Sequence, residues 1–385
     1  MSRYHSHLRS ASAIIQFYDG SIPFASWLKT YFKQHKKFGS TDRKIIADLC
    51  FCFFRLGKAF ENEPVEEQIL IGQFLSRHAS RIVDELKPEW QSVLPLPVEE
   101  KLSFLHANAG ADFFPFLDEV GKEIDLRPFN LSHLVQPDLF LRIRPGRRED
   151  VLQKLLGATF SHSEENNCLR LPINIKIENF FRLDDEVVVQ DKSSQRVLDL
   201  LQQQTPNPER QTFSAWDCCA ASGGKSILLH DHFPKAQITV SDVRESILQN
   251  LKNRFKRAGI HAYQSFVADV SSAKFNLNKK FDVIICDAPC SGSGTWGRTP
   301  ENLRFFSNEK IAHYTALQKS IATNASKCLK DGGMFLYITC SVFAKENEEV
   351  VNSLTQVTKL RLVAQQYFKG YTEKADTLFA ALFTL

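Results

Sequence analysis

The sequence predicts an α/β protein whose larger part, residues 191–385, is a doubly wound and mostly parallel sheet. Three observations carry that expectation. From Ser193 onward, strand-like and helix-like segments alternate with short turns between them. The run Val283, Ile284, Ile285 and Cys286 is short, apolar and largely β-branched, as a central strand covered on both faces should be. And three stretches, DCCAASGGKS (217–226), DAPCSGSG (287–294) and YITCS (337–341), each turn from a buried strand into small and reactive residues at the edge where open α/β sheets bind ligands. Ahead of this part stand a small α+β module over 131–190 and a helical bundle over 1–130. A chain of 385 residues is expected to hold two or three such domains.

Taken in order, Ser40 and Thr41 can cap a helix in which Ile45, Ile46, Leu49, Cys50, Phe53 and Phe54 recur at three- and four-residue steps. Ile69, Leu70, Phe74, Leu75, Ile82 and Leu86 continue that period. The proline-rich stretch 87–97 breaks it, and another helix follows from Val98. Such aromatic-rich stripes read first as core, and several helices of this size make a bundle. In the second part, LFLRIRP (139–145) alternates apolar and basic residues like a strand with one wet, positive face. A helix over 149–156 follows, then the short strands CLRLPI and VVVQD. Arg142, Arg144, Arg147 and Arg148 can meet phosphates, or equally serve only to solubilise one sheet face. In the third part the order is helix 195–203, strand FSAWDCC, the turn AASGGKS opening a helix, strand ITVSDV, helix 245–258 and strand YQSFVADV. Strand FDVIICDAP, helix 308–330, strand MFLYITC and helix 346–353 come next. The last two strands, LRLVAQQ and TLFAALFTL, have no helix between them and read as an antiparallel hairpin at one edge.

Composition narrows the function classes. No apolar run approaches a membrane span, and MSRYHSHLRS lacks the apolar core of a secretory leader, so a cytoplasmic protein without membrane partners is expected. The nine cysteines form no CxxC pair and no histidine cluster accompanies them, so no metal site is expected and reduced thiols are. The net charge is only +4, but residues 1–60 hold ten Lys/Arg against three Asp. That excess suits a polyanionic partner; a solvated helix face is the plainer alternative.

Gly223 and Gly224 follow a strand and open a helix, which lets a ligand approach the backbone at the positive helix end. Asp242, at the end of the next strand, can bind both ribose hydroxyls of an adenosine-containing cofactor. Asp269 closes the strand after that, either as a third polar group on the rim or as a turn-initiating aspartate. Cys290 and Cys340 end adjacent strands. A thiolate there can add to the sixth carbon of a pyrimidine, making the fifth carbon nucleophilic toward a sulfonium methyl. Asp287 is placed to act as the acid near the ring nitrogen.

In this order and spacing, DCCAASGGKS, SDV, ADV, DAPCSGSGTWGRTPE and YITCS resemble the RsmB/Sun family of RNA cytosine-C5 methyltransferases over about residues 135–385. KKFGSTDRKIIADLCF is similar to the NusB-like RNA-binding domain of the family's rRNA-modifying branch. The resemblance implies a Rossmann-like class I methyltransferase domain, with S-adenosyl-L-methionine held by Cys219, Ala220, Ala221, Ser222, Gly223, Gly224, Lys225, Asp242, Asp269 and Asp287. It implies Cys340 as the nucleophile and Cys290 as the group assisting proton removal and product release. DNA cytosine methyltransferases attack from a proline–cysteine motif instead, so Cys290 is the rival nucleophile. The implied partner is RNA, ribosomal 16S in the first instance, and a monomer is expected. Transfer RNA as substrate, or a non-catalytic role in ribosome assembly, are the alternatives. Ser222 stands where the family usually has proline, which implies a less rigid cofactor turn. Gly297 replaces one of two usual arginines and leaves Arg298 alone.

Overall fold

The computed structural model describes residues 3–106, 112–205 and 212–385, so Met1 and Ser2 of the opening stretch lie outside the described residues. The chain forms two compact units. One comprises Met1–Val120, Asp125–Gln136 and Thr295–Asn308, and the other Gly121–Ile124, Pro137–Gly294 and Glu309–Leu385. Among the described residues, no helix is long and apolar enough to cross a membrane.

The first unit is helical: α1 (Arg3–Phe17), α2 (Phe24–Gln34), α3 (Ser40–Arg55), α4 (Val65–Ser76), α5 (Arg81–Leu86), α6 (Val98–Phe104) and α7 (Leu126–Ser132). Pro23, Pro64 and Pro97 stand immediately before α2, α4 and α6, where a missing amide N–H costs no helical hydrogen bond. The period read from α3 is its buried stripe, with Ile46, Leu49, Cys50, Phe53 and Phe54 all in the core. The expected cap is absent. Gly39 is the N-cap and no side chain bonds there, because α3 starts at Ser40 and both hydroxyls lie inside its first turn. A β-carbon on Gly72 of α4 would lie 2.4 Å from the Cys52 carbonyl oxygen, so α3 and α4 approach at van der Waals distance.

Half of the stretch expected to build the catalytic loop belongs to this unit. Thr295–Asn308, with α13 (Asn302–Phe305), is helical-unit structure. Trp296 is fully buried there, 5.2 Å from the Phe114 ring and 4.8 Å from the Phe306 ring. The carboxylate of Glu301 accepts the Phe24 N–H at 2.9 Å. Arg55, 1% exposed, donates to the carbonyls of His133, Val135 and Gly297, and burial pulls its pKa down to about 10. The Gly297 carbonyl is thus a structural anchor.

The second unit begins with a four-stranded antiparallel sheet. Its strands are β1 (Leu139–Ile143), β2 (Ser163–Glu165), β3 (Cys168–Leu171) and β4 (Val187–Val189), in the order β2-β3-β1-β4, with α8 (Arg148–Leu155) beside them. The wet, positive face expected for β1 is not there. Arg142 is 6% exposed, and both Arg142 and Arg144 clamp the Asp231 carboxylate, at 2.5 and 2.7 Å. Alternation puts residues 142 and 144 on one face of the strand, and that face meets a buried counter-charge instead of water. Only Arg147 and Arg148 remain near the surface, paired with Asp185 and Glu164.

After the short helices α9 (Lys192–Arg196) and α10 (Asp199–Gln203) comes the doubly wound part: β5 (Ser214–Asp217), α11 (Gly224–His232), β6 (Gln237–Asp242), α12 (Glu245–Arg257) and β7 (Tyr263–Val267). It continues with β8 (Phe281–Asp287), α14 (Glu309–Ser326), β9 (Leu329–Thr339), α15 (Glu348–Val357), β10 (Arg361–Lys369) and β11 (Thr377–Thr384). The seven strands lie in the order β10-β11-β9-β8-β5-β6-β7. Strands β9-β8-β5-β6-β7 are mutually parallel, and β11 pairs antiparallel with both β9 and β10, as the missing helix between the last two strands predicts. The winding reverses between β5 and β8. Their carboxyl ends therefore open a crevice at the topological switch point.

Candidate active site

The carboxyl ends of β5, β6, β7, β8 and β9, with the turns that follow them and the start of α11, carry the residues expected to bind the cofactor and react. After β5, the Cys218 N–H donates to the Ile285 carbonyl at 3.0 Å and the Ala220 N–H to the Ser241 carbonyl at 2.9 Å, so the chain stays stitched to both neighbouring strand ends. It then turns through left-handed conformations at Ala221 (φ +45°) and Gly223 (φ +84°). A β-carbon on Gly223 would lie 2.9 Å from Leu251 Cγ, so glycine is required on both backbone and steric grounds. Gly224 starts α11, whose first turn has no side-chain cap and leaves N–H groups without intrahelical partners.

At Ser222, Arg254 donates to both the carbonyl and the hydroxyl, at 3.1 and 3.2 Å, and is itself gripped by Asp184 at 2.8 Å. These bonds brace the turn at the position where proline was expected. Beneath the turn, Asp217 is 1% exposed; Oδ2 accepts from the Ser226 hydroxyl at 2.6 Å while Oδ1 has no partner among the described residues. Burial raises its pKa to about 7.

Asp242, 6% exposed, accepts the Ala221 N–H at 3.0 Å and the Arg244 N–H at 2.9 Å, which leaves a lone pair for a hydroxyl. Beside it Val243 is 60% exposed, and Val267 at the end of β7 is 53% exposed. Two exposed valines thus stand beside the Asp242 carboxylate and offer an apolar flank there, a feature hidden in the sequence because valine there reads as strand. Asp269 is exposed and accepts the Ser271 N–H at 3.0 Å, so it initiates a turn and still lies on the rim. S-adenosylmethionine, the cofactor that the sequence resemblance implies, fits this cradle: an acid and apolar flank for the nucleoside, a close-approach glycine turn, and an unpartnered Asp217 oxygen beneath it.

After β8 and β9 the reactive groups converge. Asp287 pairs with Lys225 Nζ at 2.6 Å. The sulfurs of Cys290 and Cys340 lie 3.3 Å apart, and both residues are half-buried. The hydrogen bond to Cys340, with burial, pushes the Cys290 thiol well above its ordinary pKa. The Gly294 N–H donates to the Cys340 carbonyl at 2.9 Å, and a β-carbon there would fall 2.0 Å from the Thr377 carbonyl oxygen. Sequence reasoning missed Gln318, Glu346 and Asn347, which surround these two loops; Glu346 and Asn347 are legible only as the start of a helix. Glu346 and Asn347 are in fact fully buried.

A seven-stranded sheet of this order, with a glycine turn after its first strand and acids closing the next two, defines a doubly wound, Rossmann-like methyltransferase fold. Residues 203–380 match the family model of 16S rRNA methyltransferase RsmB/F. The chain is 33% identical over 223 residues to ribosomal RNA small subunit methyltransferase B of Proteus mirabilis, covering 56% of this chain and 51% of the relative. It is 32% identical over 227 residues to the protein of the same name from Serratia proteamaculans, covering 57% and 52%. The matched stretch thus spans about half the length of these relatives. Among solved structures, that of PH0851 superimposes over 100% of both chains with a TM-score of 0.73 at 18% identity. NSun6 from Pyrococcus horikoshii with SFG covers 71% of this chain and 97% of its own, with a TM-score of 0.59 at 13% identity. At such identities the likeness is one of fold.

Proposed function

We propose that the protein is an RNA methyltransferase acting on the fifth carbon of a cytosine, with 16S rRNA as the substrate. The observation that carries this reading is the pair of thiols, 3.3 Å apart, beside the Lys225–Asp287 ion pair. A fold that methylates an exocyclic amine or a hydroxyl needs no thiol, whereas addition to a pyrimidine ring needs one to enter and a second group to let the ring leave. Bound S-adenosylmethionine supplies an electrophilic sulfonium methyl. Cys340 adds to the sixth carbon, and the Lys225–Asp287 pair holds a proton at the ring nitrogen so that the fifth carbon becomes electron-rich. Cys340 is assigned as the nucleophile from the resemblance to the RsmB/Sun family, because in the 3.3 Å sulfur–sulfur contact either thiol can be the donor. Cys290 then assists removal of the proton from the fifth carbon, and Cys340 departs. The base must be unstacked to reach either sulfur.

The basic residues of 1–130 grip RNA phosphates in this reading, while 131–190 contributes Arg147 and Arg148 and not the buried Arg142 and Arg144. The catalytic part is 191–385. The test is methyl transfer from labelled S-adenosylmethionine to 16S rRNA, with bisulfite sequencing to find the position. Cys340→Ala should abolish transfer and keep cofactor binding; Cys290→Ala should accumulate a protein–RNA adduct on a denaturing gel. A Cys290→Ala enzyme that turns over at the parent rate without an adduct refutes the division of roles.

A further inference from the structure

Each reactive thiol is held through its neighbours in the chain. On either side of Cys290, the Pro289 carbonyl accepts from Gln318 Nε2 at 2.9 Å and the Ser291 N–H donates to Glu346 Oε2 at 2.9 Å. On either side of Cys340, the Thr339 hydroxyl donates to Asn347 Oδ1 at 2.6 Å and the Ser341 carbonyl accepts from Asn347 Nδ2 at 2.8 Å. Glu346 reaches both loops: Oε1 accepts from the Ser341 hydroxyl at 3.0 Å, and Oε2 also accepts from Gln318 Nε2 at 2.8 Å. Its backbone carbonyl accepts the Tyr337 hydroxyl at 2.7 Å, which ties the same residue to β9.

Glu346 has 0% exposure and no cation partner among the described residues, and burial raises its pKa. Burying a carboxyl without a counter-charge is costly, so three donors converging on it mark a site where the polar group has a specific job. We propose that Glu346 is a positioning residue: by bonding to the residue after each cysteine, its carboxyl sets the spacing of the Cys290 and Cys340 sulfurs. It touches neither substrate nor cofactor in this role. For catalysis the inference rests on the cytosine-methyltransferase reading; the geometric claim does not.

The charge pattern dictates the variants. Glu346→Gln has one acceptor oxygen in place of two, so it can serve either the Ser291 N–H and Gln318 Nε2 or the Ser341 hydroxyl but not all three, and it weakens the clasp with almost no change of volume. Glu346→Asp keeps a carboxylate and should recover part of the effect. The readout is the rate at which the azo oxidant diamide joins Cys290 to Cys340, followed by peptide mass. Two S–H bonds break, one S–S bond forms, and the N=N bond takes up the two hydrogens as a hydrazine. The parent should form the bridge quickly because its sulfurs already touch. Glu346→Gln should slow it about tenfold, and kcat for methyl transfer should fall about 10²-fold, as expected for roughly 1 Å of misplacement. KM for RNA and Kd for S-adenosylmethionine should stay within about threefold. If Glu346→Gln does not fold, Ser341→Ala, which removes one bond of the clasp, should slow bridging about threefold.

Folded variants that form the bridge at the parent rate overturn the proposal. A parent that methylates no RNA, with variants that still bridge slowly, would sink the methyltransferase reading and leave the clasp standing.

Discussion

Arg254→Met tests whether a guanidinium strut does the work of a missing proline in the cofactor turn. Methionine keeps most of the aliphatic stem and deletes the two bonds to Ser222, at 3.1 and 3.2 Å, along with one of the two guanidinium partners of Asp184. Bonds from a charged donor are worth about 1.5–3 kcal/mol each at good geometry. At these lengths, and with Arg254 19% exposed, about 1.5 kcal/mol for the pair is the reasonable figure. That energy orders Ala221–Gly224, the backbone that the cofactor must approach. Its loss should weaken S-adenosylmethionine about tenfold by calorimetric titration. Arg257→Met is the control: Arg257 also pairs with Asp184, at 2.6 Å, whereas the bonds to Ser222 come from Arg254. It should leave Kd unchanged. An Arg254→Met protein binding within twofold of the parent, or an Arg257→Met protein weakened equally, would refute the strut.

Asp231→Asn should cost about 3–5 kcal/mol in urea unfolding of the second unit, because two guanidiniums lose their buried counter-charge. Even against burial, the nearby His230 ring and the bonded guanidiniums of Arg144 and Arg142 hold the Asp231 carboxyl below its ordinary pKa. Its contribution is therefore present above the unfolded aspartate pKa and disappears as pH falls through the lower folded value. Asp217 has the opposite sign. Burial raises its pKa to about 7, so the native state binds the extra proton and stability falls as pH rises from about 4 to 7. Asp217→Asn should melt above the parent at pH 8, and the gap should close toward pH 4. Gly294→Ala forces a β-carbon to 2.0 Å from the Thr377 carbonyl oxygen, so it should displace the Cys290 loop and lower kcat about 10²-fold. Normal turnover by that variant would show that the loop yields without consequence.

What the amino-acid order by itself determined is local and sequential. The apolar run of β8 and the glycine turn at Gly223 were legible because strand burial and left-handed turns act on neighbouring residues. The strand–helix alternation then puts the ends of β5 to β9 on one crevice, since parallel strands must all finish at the same edge. Tertiary structure alone decided the fate of charged groups. Arg142 and Arg144 looked wet until Asp231, nearly ninety residues further along, closed over them. Glu346 read only as the start of a helix, and its burial depends on Ser291, Gln318 and Ser341 surrounding it. A stretch continuous with the Cys290 loop turned out to serve the helical unit through Trp296 and Glu301. The reason is physical: an apolar side chain is buried wherever its element packs, whereas a charge is buried only if distant residues supply its partner, and that pairing is written in three dimensions.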